Sequence, residues 1–423
     1  MLLNYKFENF MSFRENVEFS MMAPKTKVKN RFPNNIIFTD RGCDLLKTAV
    51  VVGENAGGKS NFVRSLGYLQ SFFRENKPAK SYKSCMNINN EKNGCGKNSN
   101  TLEKFDLEIL SDNGIFYLYH LEKDFIGIVC EELSYKKQYH HKYKQILYAN
   151  RIKCNFECDG KEDLCLGKNK CIVSGELDHK ISLYGVEPEM EDAFESAVNS
   201  QKQMGLLVTR LAILGNEHAV SFTDWMINSL CPETNVINYD LYKSMKNEEE
   251  DIQILNDPRY IEIFKMIDAS IVGIEIDEEK PFAKTLVIRK KEDGSTFSRE
   301  LGRDSSGVRE YFAWAVQIFK IVYENKTVFA DEMDRVLNPV LSDRVIAFIN
   351  GKEHQGQFIF TTHNVLHLDL KNYMKEQIYF ITKDVESLES ELYSLADFPE
   401  VRYETTKIYE FYMKGILGGT AIE

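Results

Sequence analysis

Residues 45–73 read LLKTAVVVGENAGGKSNFVRSLGYLQSFF, and this stretch decides the fold. Leu45 to Val52 is an apolar run, which is typical of a strand buried inside a parallel sheet. Gly53 to Gly58 is a glycine-rich turn, and apolar residues then recur at helical spacing from Ser60 to Phe73. The stretch therefore predicts a buried strand, a tight loop and a helix, in that order.

Residues 53–60 within this stretch match the pattern G-x-x-x-x-G-K-[ST]. Glycines let backbone N–H groups close around a phosphate, and the following helix N-terminus adds partial positive charge. We expect Lys59 to reach the β- and γ-phosphate oxygens and the Ser60 hydroxyl to bind Mg²⁺. A plain glycine turn is the alternative, but the flanking strand and helix favour a phosphate site. The predicted contact residues are Gly53, Glu54, Asn55, Ala56, Gly57, Gly58, Lys59, Ser60 and Asn61.

A second apolar strand, Thr327 to Ala330, ends in the carboxylates Asp331 and Glu332. The carboxyl ends of parallel strands face the ligand crevice of such a sheet. We therefore expect Asp331 to hold Mg²⁺ and Glu332 to polarise the attacking water as general base. A strand that runs into an acidic turn is the alternative. The glycine loop, and a third carboxylate at Asp334, favour the catalytic interpretation.

Two further segments suggest phosphate chemistry. The strand Phe358 to Thr361 is followed by His363, which we expect beside the same crevice, where it could sense the γ-phosphate or orient the water. A capped or core histidine is the alternative. The loop Ser305-Ser306-Gly307 precedes a helix and could form an anion nest, or only a helix cap.

The composition is that of an ordinary globular protein, with 423 residues, 43% hydrophobic and 28% charged, which excludes wholesale disorder. The net charge is −11, from 53 Lys and Arg against 64 Asp and Glu, so any nucleic acid would need a local basic patch. No run of about 18 apolar residues occurs, so we expect no membrane span. Nine irregularly spaced cysteines argue against a secreted disulfide framework. We expect a cytoplasmic protein with reduced thiols.

The patterns divide the chain into four predicted segments. Residues 1–135 hold the glycine loop and a meander of strands with alternating apolar and polar residues. Residues 136–186 read as a basic, cysteine-rich insertion, and residues 187–270 as a helical subdomain. Residues 271–423 begin with strands to residue 300 and then alternate strands and helices, which indicates a mostly parallel α/β sheet. The helical subdomain should present two apolar faces: Met204, Leu207, Val208, Leu211 and Leu214, and Phe222, Trp225, Met226 and Leu230.

The insertion carries two candidate binding features, one for a metal and one for nucleic acid or a protein partner. Cys154, Cys158, Cys165 and Cys171 could hold Zn²⁺ tetrahedrally, but no C-x-x-C pair is present, and incidental thiols are the favoured alternative. The run Tyr135 to Arg151 is basic and aromatic and could contact nucleic acid or a protein partner. A solvated amphipathic strand pair explains that run equally well.

Taken in order, these motifs resemble the ABC-type ATPase heads of the RecF, SMC and OLD group. More narrowly, they resemble the AAA-labelled, ABC-like ATPases of bacterial abortive-infection and anti-phage loci. Residues 9–13 are similar to that group's "NF-x-SF" turn, and residues 331–339 to its "DE-x-D-x-x-L-H-P", with Asn338 in place of the usual histidine. Residues 412–419 are similar to its "Y-x-x-G…GG" tail.

The resemblance implies an ABC-ATPase-like head that binds ATP and Mg²⁺, in which two heads enclose two nucleotides. Ser305 and Gly307 of one copy would complete the γ-phosphate site at Lys59 of the other. Asp334 would communicate across the interface, and His363 would be the switch histidine. A homodimer or a higher even oligomer follows.

Three functions remain open. The first is a Mg-dependent ATPase that acts as sensor or motor of an anti-phage (abortive-infection) system through a separate effector protein. The second is a RecF-like ATPase of DNA repair that binds DNA ends. The third is an ATP-gated scaffold that holds a toxic partner inactive.

Overall fold

The computed structural model describes residues 1–75, 102–124, 127–154, 177–200, 205–233, 248–333, 337–403 and 407–417. Within these ranges, no helix combines the length and the apolar character needed to cross a bilayer. The strands, in chain order, are β1 Leu2–Glu8, β2 Val17–Ser20, β3 Ile36–Ile37, β4 Leu45–Leu46, β5 Thr48–Gly53, β6 Glu103–Leu110, β7 Phe116–Lys123, β8 Ile128–Lys136, β9 Lys144–Cys154, β10 Leu177–Leu183, β11 Leu230–Glu233, β12 Ile271–Glu275, β13 Leu286–Lys290, β14 Thr296–Glu300, β15 Thr327–Ala330, β16 Gln357–Thr362, β17 Ile378–Lys383 and β18 Ser390–Ser394.

The two longest helices, Lys59–Glu75 and Ser306–Glu324, were predicted from apolar spacing, and each is amphipathic, with one face buried in a core. The short helices Pro281–Lys284 and Ile408–Met413 were not predicted. In chain order the helices are α1 Lys59–Glu75, α2 Pro188–Asn199, α3 Leu207–Ile213, α4 Glu217–Asp224, α5 Glu248–Asn256, α6 Tyr260–Phe264, α7 Pro281–Lys284, α8 Ser306–Glu324, α9 Pro339–Gly351 and α10 Ile408–Met413.

The central sheet has six strands in the described ranges, in the order β11-β15-β16-β5-β17-β18. All neighbours are parallel except β18, which is antiparallel to β17. Strand β5 is buried on both faces, because Ala49 and Val51 pack in one core and Val50 and Val52 in another. This double burial explains its apolar sequence without alternation. The predicted α/β fold with a mostly parallel sheet is confirmed.

A second sheet contains seven antiparallel strands among the described residues, in the order β10-β9-β8-β7-β6-β1-β2. The predicted meander corresponds to β6, β7 and β8. Strands β9 and β10 extend it, since Leu133 pairs with Leu147 and Ala149 with Ile181. These residues share one core, so β9 and β10, in the described part of residues 136–186, continue the meander. The sequence suggested a basic, cysteine-rich insertion there.

A buried carboxylate fastens the helical part to this sheet. Glu131 on β8 accepts hydrogen bonds from the N–H groups of Leu207 and Val208, at 2.7 and 3.0 Å, in the first turn of α3. It also accepts one from the Tyr119 hydroxyl at 3.1 Å. The first N–H groups of a helix have no partner inside it, so the carboxylate caps α3. Burial nevertheless raises the pKa of Glu131 to about 7.

Two expectations for the helical faces were wrong. Leu214 lies just past the end of α3 and is 60% exposed. Leu230 is not helical, because α4 passes into a π-helical turn, Trp225–Ser229, and Leu230 then begins strand β11. Leu230 pairs with Thr327 of β15, a partner remote in sequence that helical spacing cannot reveal. Met204 lies outside the described residues.

His354, just after α9, is buried and makes two hydrogen bonds through its ring. Its Nε2 donates to the Ile349 carbonyl at 2.7 Å, and its Nδ1 accepts from the Gly356 N–H at 3.0 Å, so the neutral ring is required. Burial lowers the pKa of His354 to about 4. The unfolded chain takes up this proton first, near pH 6.5, so the stabilisation is complete above that pH and is lost as the pH falls toward 4.

We therefore expect His354 to contribute a loss of about 2 kcal/mol in unfolding free energy between about pH 7 and about pH 5. Urea unfolding of the protein and of His354→Gln at both pH values measures this loss. The variant should be less stable at neutral pH but should lack this part of the acid-dependent fall. His141→Gln, which changes an exposed histidine, is the matched control. Equal acid-dependent falls in wild type and His354→Gln would contradict the assignment.

Candidate functional site

Three strands that carry predicted site residues end at one edge of the central sheet. In register, Phe360 of β16 lies between Val50 of β5 and Ala330 of β15. The glycine loop after β5, the acidic pair after β15 and His363 after β16 therefore leave the sheet at the same edge. This is the ligand edge of a parallel α/β sheet.

The glycine loop contains two residues with left-handed backbone angles and two glycines in close contact with neighbouring strands. Ala56 and Gly58 have positive φ angles, +61° and +119°. A Cβ on Gly53 would lie 2.3 Å from the Ile381 carbonyl oxygen, because β17 runs alongside. A Cβ on Gly58 would lie 2.5 Å from the Ser390 hydroxyl. Both glycines are thus needed for close packing around the loop.

Lys59 lies at the mouth of this loop, at the start of α1, and is only 5% exposed. Its ammonium group donates to the carbonyls of Gly53 and Glu54, both at 2.8 Å, and lies 3.5 Å from Nδ1 of His363. A buried cation held among carbonyl dipoles at a helix N-terminus is placed to receive an anion. The structure thus brings Lys59 and His363 together, as the sequence led us to expect.

The acidic pair is oriented by a residue that sequence reasoning missed. The Thr361 hydroxyl on β16 donates to Oδ1 of Asp331 at 2.7 Å and accepts from the Glu332 N–H at 2.8 Å. Asp331 is buried, and Glu332 adopts a φ of +51°. One hydroxyl therefore orients the Asp331 carboxylate and holds the Glu332 backbone. The threonines of β16 were visible in the sequence, but only the register with β15 assigns this role.

A second feature that sequence reasoning missed is a set of hydrogen bonds that holds the glycine loop in place. The Ser390 hydroxyl donates to the Gly57 carbonyl at 2.6 Å, and the Ser390 N–H donates to the Ser12 carbonyl at 2.7 Å. The Ser12 hydroxyl accepts from the Asn61 amide at 2.8 Å. Ser12 belongs to the turn at residues 9–13 that was noted in the sequence, but Ser390 gave no signal. Residues from both ends of the chain thus support the loop.

Ser305 is the N-cap of α8, and its hydroxyl accepts from the Val308 N–H at 3.4 Å. Ser305 and Ser306 are exposed, and a Cβ on Gly307 would meet nothing within 4 Å. The preceding residue, Asp304, is ion-paired to Arg289 of β13 at 2.7 Å. An exposed helix N-terminus on a fixed loop fits the predicted anion nest, as well as the simpler cap.

The direction of α8 places this N-terminus relative to the sheet. A Cβ on Gly356, just before β16, would lie 1.9 Å from the Ile321 carbonyl near the end of α8. The Trp314 ring, earlier in α8, lies 6.2 Å from the Phe358 ring of β16. Helix α8 therefore runs antiparallel to β16, and its N-terminus points toward the ligand edge.

Several predicted residues lie outside the described ranges: Asp334, Cys158, Cys165, Cys171, Gly418 and Gly419. The backbone of Cys154 ends β9, and its side chain is not described. Asn338 caps α9, where its side chain accepts from the Leu341 N–H at 3.0 Å. Among the described residues, no group of three or more His, Cys, Asp or Glu side chains could hold a metal.

The two predicted magnesium ligands, Ser60 and Asp331, do not by themselves make up such a group. Mg²⁺ prefers hard oxygen ligands, and in nucleotide sites it keeps several waters and takes only one or two protein groups plus phosphate oxygens. Ser60 offers a hydroxyl at the start of α1, and Asp331 offers a buried carboxylate after β15. This donor set suits Mg²⁺ bound together with a nucleotide, and does not suit a metal held by protein alone.

The basic run Tyr135 to Arg151 forms parts of β8 and β9 and the turn between them. Lys136 is buried, with its ammonium group 4.2 Å from the Tyr143 ring centroid and 3.2 Å from the Glu108 carboxylate. These contacts keep Lys136 inside the protein, while Tyr143 beside it is half-buried. Other lysines at the turn are exposed: Lys137, Lys142 and Lys144.

No family model and no curated protein matches the sequence. Three solved structures of SMC head domains are similar over most of the chain. The SMC head bound to the C-winged helix domain of ScpA is 12% identical, covers 93% of this chain and 97% of its own, and has a TM-score of 0.42. The SMC head from Thermotoga maritima is 13% identical, with 93% and 98% covered and a TM-score of 0.38.

The third is an SMC head with an extended coiled coil, bound to the C-terminal domain of ScpA, from Pyrococcus furiosus. It is 13% identical, with 98% of both chains covered and a TM-score of 0.37. Likeness at this level assigns no activity to the chain. The candidate site therefore rests on the geometry of its own residues.

Proposed function

We propose that the protein binds ATP with Mg²⁺ and hydrolyses it. The observation that carries the proposal is the meeting of Lys59, His363 and the acidic pair Asp331 and Glu332 at one edge of a parallel sheet. The strand, glycine loop and helix supply a phosphate cradle at that edge. The sequence shows no guanine-reading Asn-Lys-x-Asp motif, which favours adenine.

Each residue has a role in this proposal. The loop N–H groups and Lys59 hold the β- and γ-phosphates, while Ser60 and Asp331 hold Mg²⁺, which neutralises charge on the phosphates. Glu332 takes a proton from the attacking water, with its backbone fixed by Thr361. His363 orients that water or reads the γ-phosphate, since it already lies next to the Lys59 ammonium group.

We further propose that two copies close head to head around ATP. The exposed N-terminus of α8 offers Ser305, Ser306 and Gly307 on the ligand side of the sheet, where they can reach the γ-phosphate held by the partner copy. ATP bound to both surfaces favours the closed pair, because it has higher affinity for that state. Hydrolysis then resets the pair. Asp334 would communicate across this interface.

The biological role proposed first is that of a cytoplasmic sensor or motor in anti-phage defence, acting through a separate effector protein. It rests on the resemblance of the ordered motifs to abortive-infection ATPases. The second candidate is an ATPase that binds DNA ends, and the exposed lysines at the β8–β9 turn favour it. Stimulation of hydrolysis by duplex DNA ends would distinguish the second from the first. A stable co-purifying second protein would favour the scaffold alternative.

Native mass spectra of Glu332→Gln protein, with and without Mg-ATP, test the proposed ATP-dependent pair. We expect the mass to double only with Mg-ATP, with one nucleotide bound per chain. Glu332→Gln/Ser305→Arg should bind ATP without doubling, because the arginine blocks the helix N-terminus. Glu332→Gln/Ser295→Arg, which changes an exposed turn serine, is the control and should still double. A chain that binds ATP but never doubles would show that the Ser305 assignment is wrong.

A further inference from the structure

Helix α2 lies along the last strand of the seven-stranded sheet in the described residues. Strand β10 pairs with β9 on one side, which leaves alternate N–H groups of β10 directed away from the sheet. Such an edge is a ready template for a further strand. The contacts of α2 with this edge are specific, and they involve three of its side chains.

Three residues of α2 accept hydrogen bonds from three alternate N–H groups of β10. Glu191 accepts from Leu183 at 2.9 Å, Glu195 from Ile181 at 2.8 Å and Asn199 from His179 at 2.9 Å. The Asn199 amide also donates to the His179 carbonyl at 3.0 Å, as a neighbouring strand would.

The spacing of these contacts follows from the geometry of the two elements. Four helical residues rise about 6 Å, and two strand residues rise about 6.7 Å. Side chains at positions i, i+4 and i+8 of an antiparallel helix can therefore meet residues j, j−2 and j−4 of the strand, where i and j are counted along the helix and the strand separately. Phe194 and Val198, on the neighbouring face of α2, are buried in the core and hold the helix against the sheet.

From this we infer that α2 protects the edge of the sheet. Its side chains occupy the outward N–H groups of β10 and so prevent β10 of a second copy from pairing there. A second copy is the occupant that the strand itself supports. In antiparallel pairing centred on Ile181, His179 lies opposite Leu183 and Lys180 opposite Ser182, so no like charges meet. The three N–H groups of each strand then face carbonyl groups of the other.

The variant Glu191→Ala/Glu195→Ala/Asn199→Ala removes all three acceptors. Its matched control is Glu189→Ala/Asp192→Ala/Ser196→Ala, which removes the same charge from exposed positions of α2. Hydrogen exchange of single amides and light scattering over a concentration series, both without nucleotide, provide the readout. In dilute solution we expect the amides of residues 179, 181 and 183 to exchange about tenfold faster or more in the triple variant, and not in the control.

At high concentration the triple variant should double in mass, and the same three amides should regain protection. Unchanged exchange, faster exchange without any doubling, or doubling without renewed protection of those amides would each overturn the inference. If the triple variant unfolds, Glu195→Ala alone tests the inference, because it removes only the hydrogen bond to the Ile181 amide. Glu191→Gln/Glu195→Gln keeps acceptor oxygens without charge and should behave as wild type. Faster exchange of the Ile181 and Leu183 amides in this variant would show that charge, and not hydrogen bonding, protects them.

Discussion

Glu332→Gln protein is expected to bind Mg-ATP with unchanged affinity and to hydrolyse it about 100- to 10,000-fold more slowly, the usual contribution of a general base. The amide keeps the size of the side chain and cannot take the proton of the attacking water. The backbone should be undisturbed, because the Glu332 N–H bonds to Thr361 whatever the side chain. Phosphate release in single-turnover and steady-state assays, with nucleotide binding measured separately, checks both parts.

Glu292→Gln is the control for this prediction, since it removes the same charge from an exposed turn between β13 and β14. Its hydrolysis rate should equal that of the wild type. A Glu332→Gln rate equal to wild type would show that another group acts as base. Loss of ATP binding in the same variant would instead place Glu332 among the nucleotide-binding residues.

Lys59→Ala protein is expected to lose nucleotide affinity by about 100-fold or more, because charge-assisted hydrogen bonds to two phosphates disappear. Lys59 is also buried against the loop carbonyls, so its removal could alter the loop itself. Lys59→Met keeps most of the apolar stem and should lose the same affinity. Titration calorimetry with Mg-ATP, together with thermal melts, separates binding from folding.

Arg64→Ala is the matched control, because Arg64 is an exposed cation on the same helix α1. Its affinity should stay within about threefold of wild type, the scatter expected for a surface substitution. An equal loss in both variants would indicate a general effect of charge or stability. Wild-type affinity in Lys59→Ala would contradict the proposed phosphate site.

The sequence predicted those parts of the fold that depend on neighbours along the chain. Strand β5, the glycine loop and α1 are contiguous, and each has its own period or turn residues. The short strand β11 was missed, because its four residues become a strand only by pairing with β15. The meander was predicted to end near residue 136: a strand pair was only one of two interpretations of the basic run Tyr135 to Arg151, which overlaps β9, and β10 beyond the cysteine-rich stretch was not predicted.

The candidate site likewise contains residues that the sequence could predict and residues that it could not. Four of its residues follow features that are recognisable in the sequence. Asp331, Glu332 and His363 come just after strands, and Lys59 ends the glycine loop. Thr361 and Ser390 act through hydrogen bonds to residues that are remote in sequence, and a serine or threonine in a strand is unremarkable on its own. Their roles required the register of β16 with β15 and the position of β18 beside the glycine loop.

The position of β5 in the central sheet has a consequence for synthesis of the protein. Both neighbours of this strand, β16 and β17, lie about 300 residues later in the chain. At about 5 to 20 residues per second, the ribosome needs about 15 to 60 seconds to deliver them. Throughout that time a strand that is fully buried in the finished fold has no central sheet to join, so nascent chains should need a holding chaperone. Ser390 reaches the glycine loop later still.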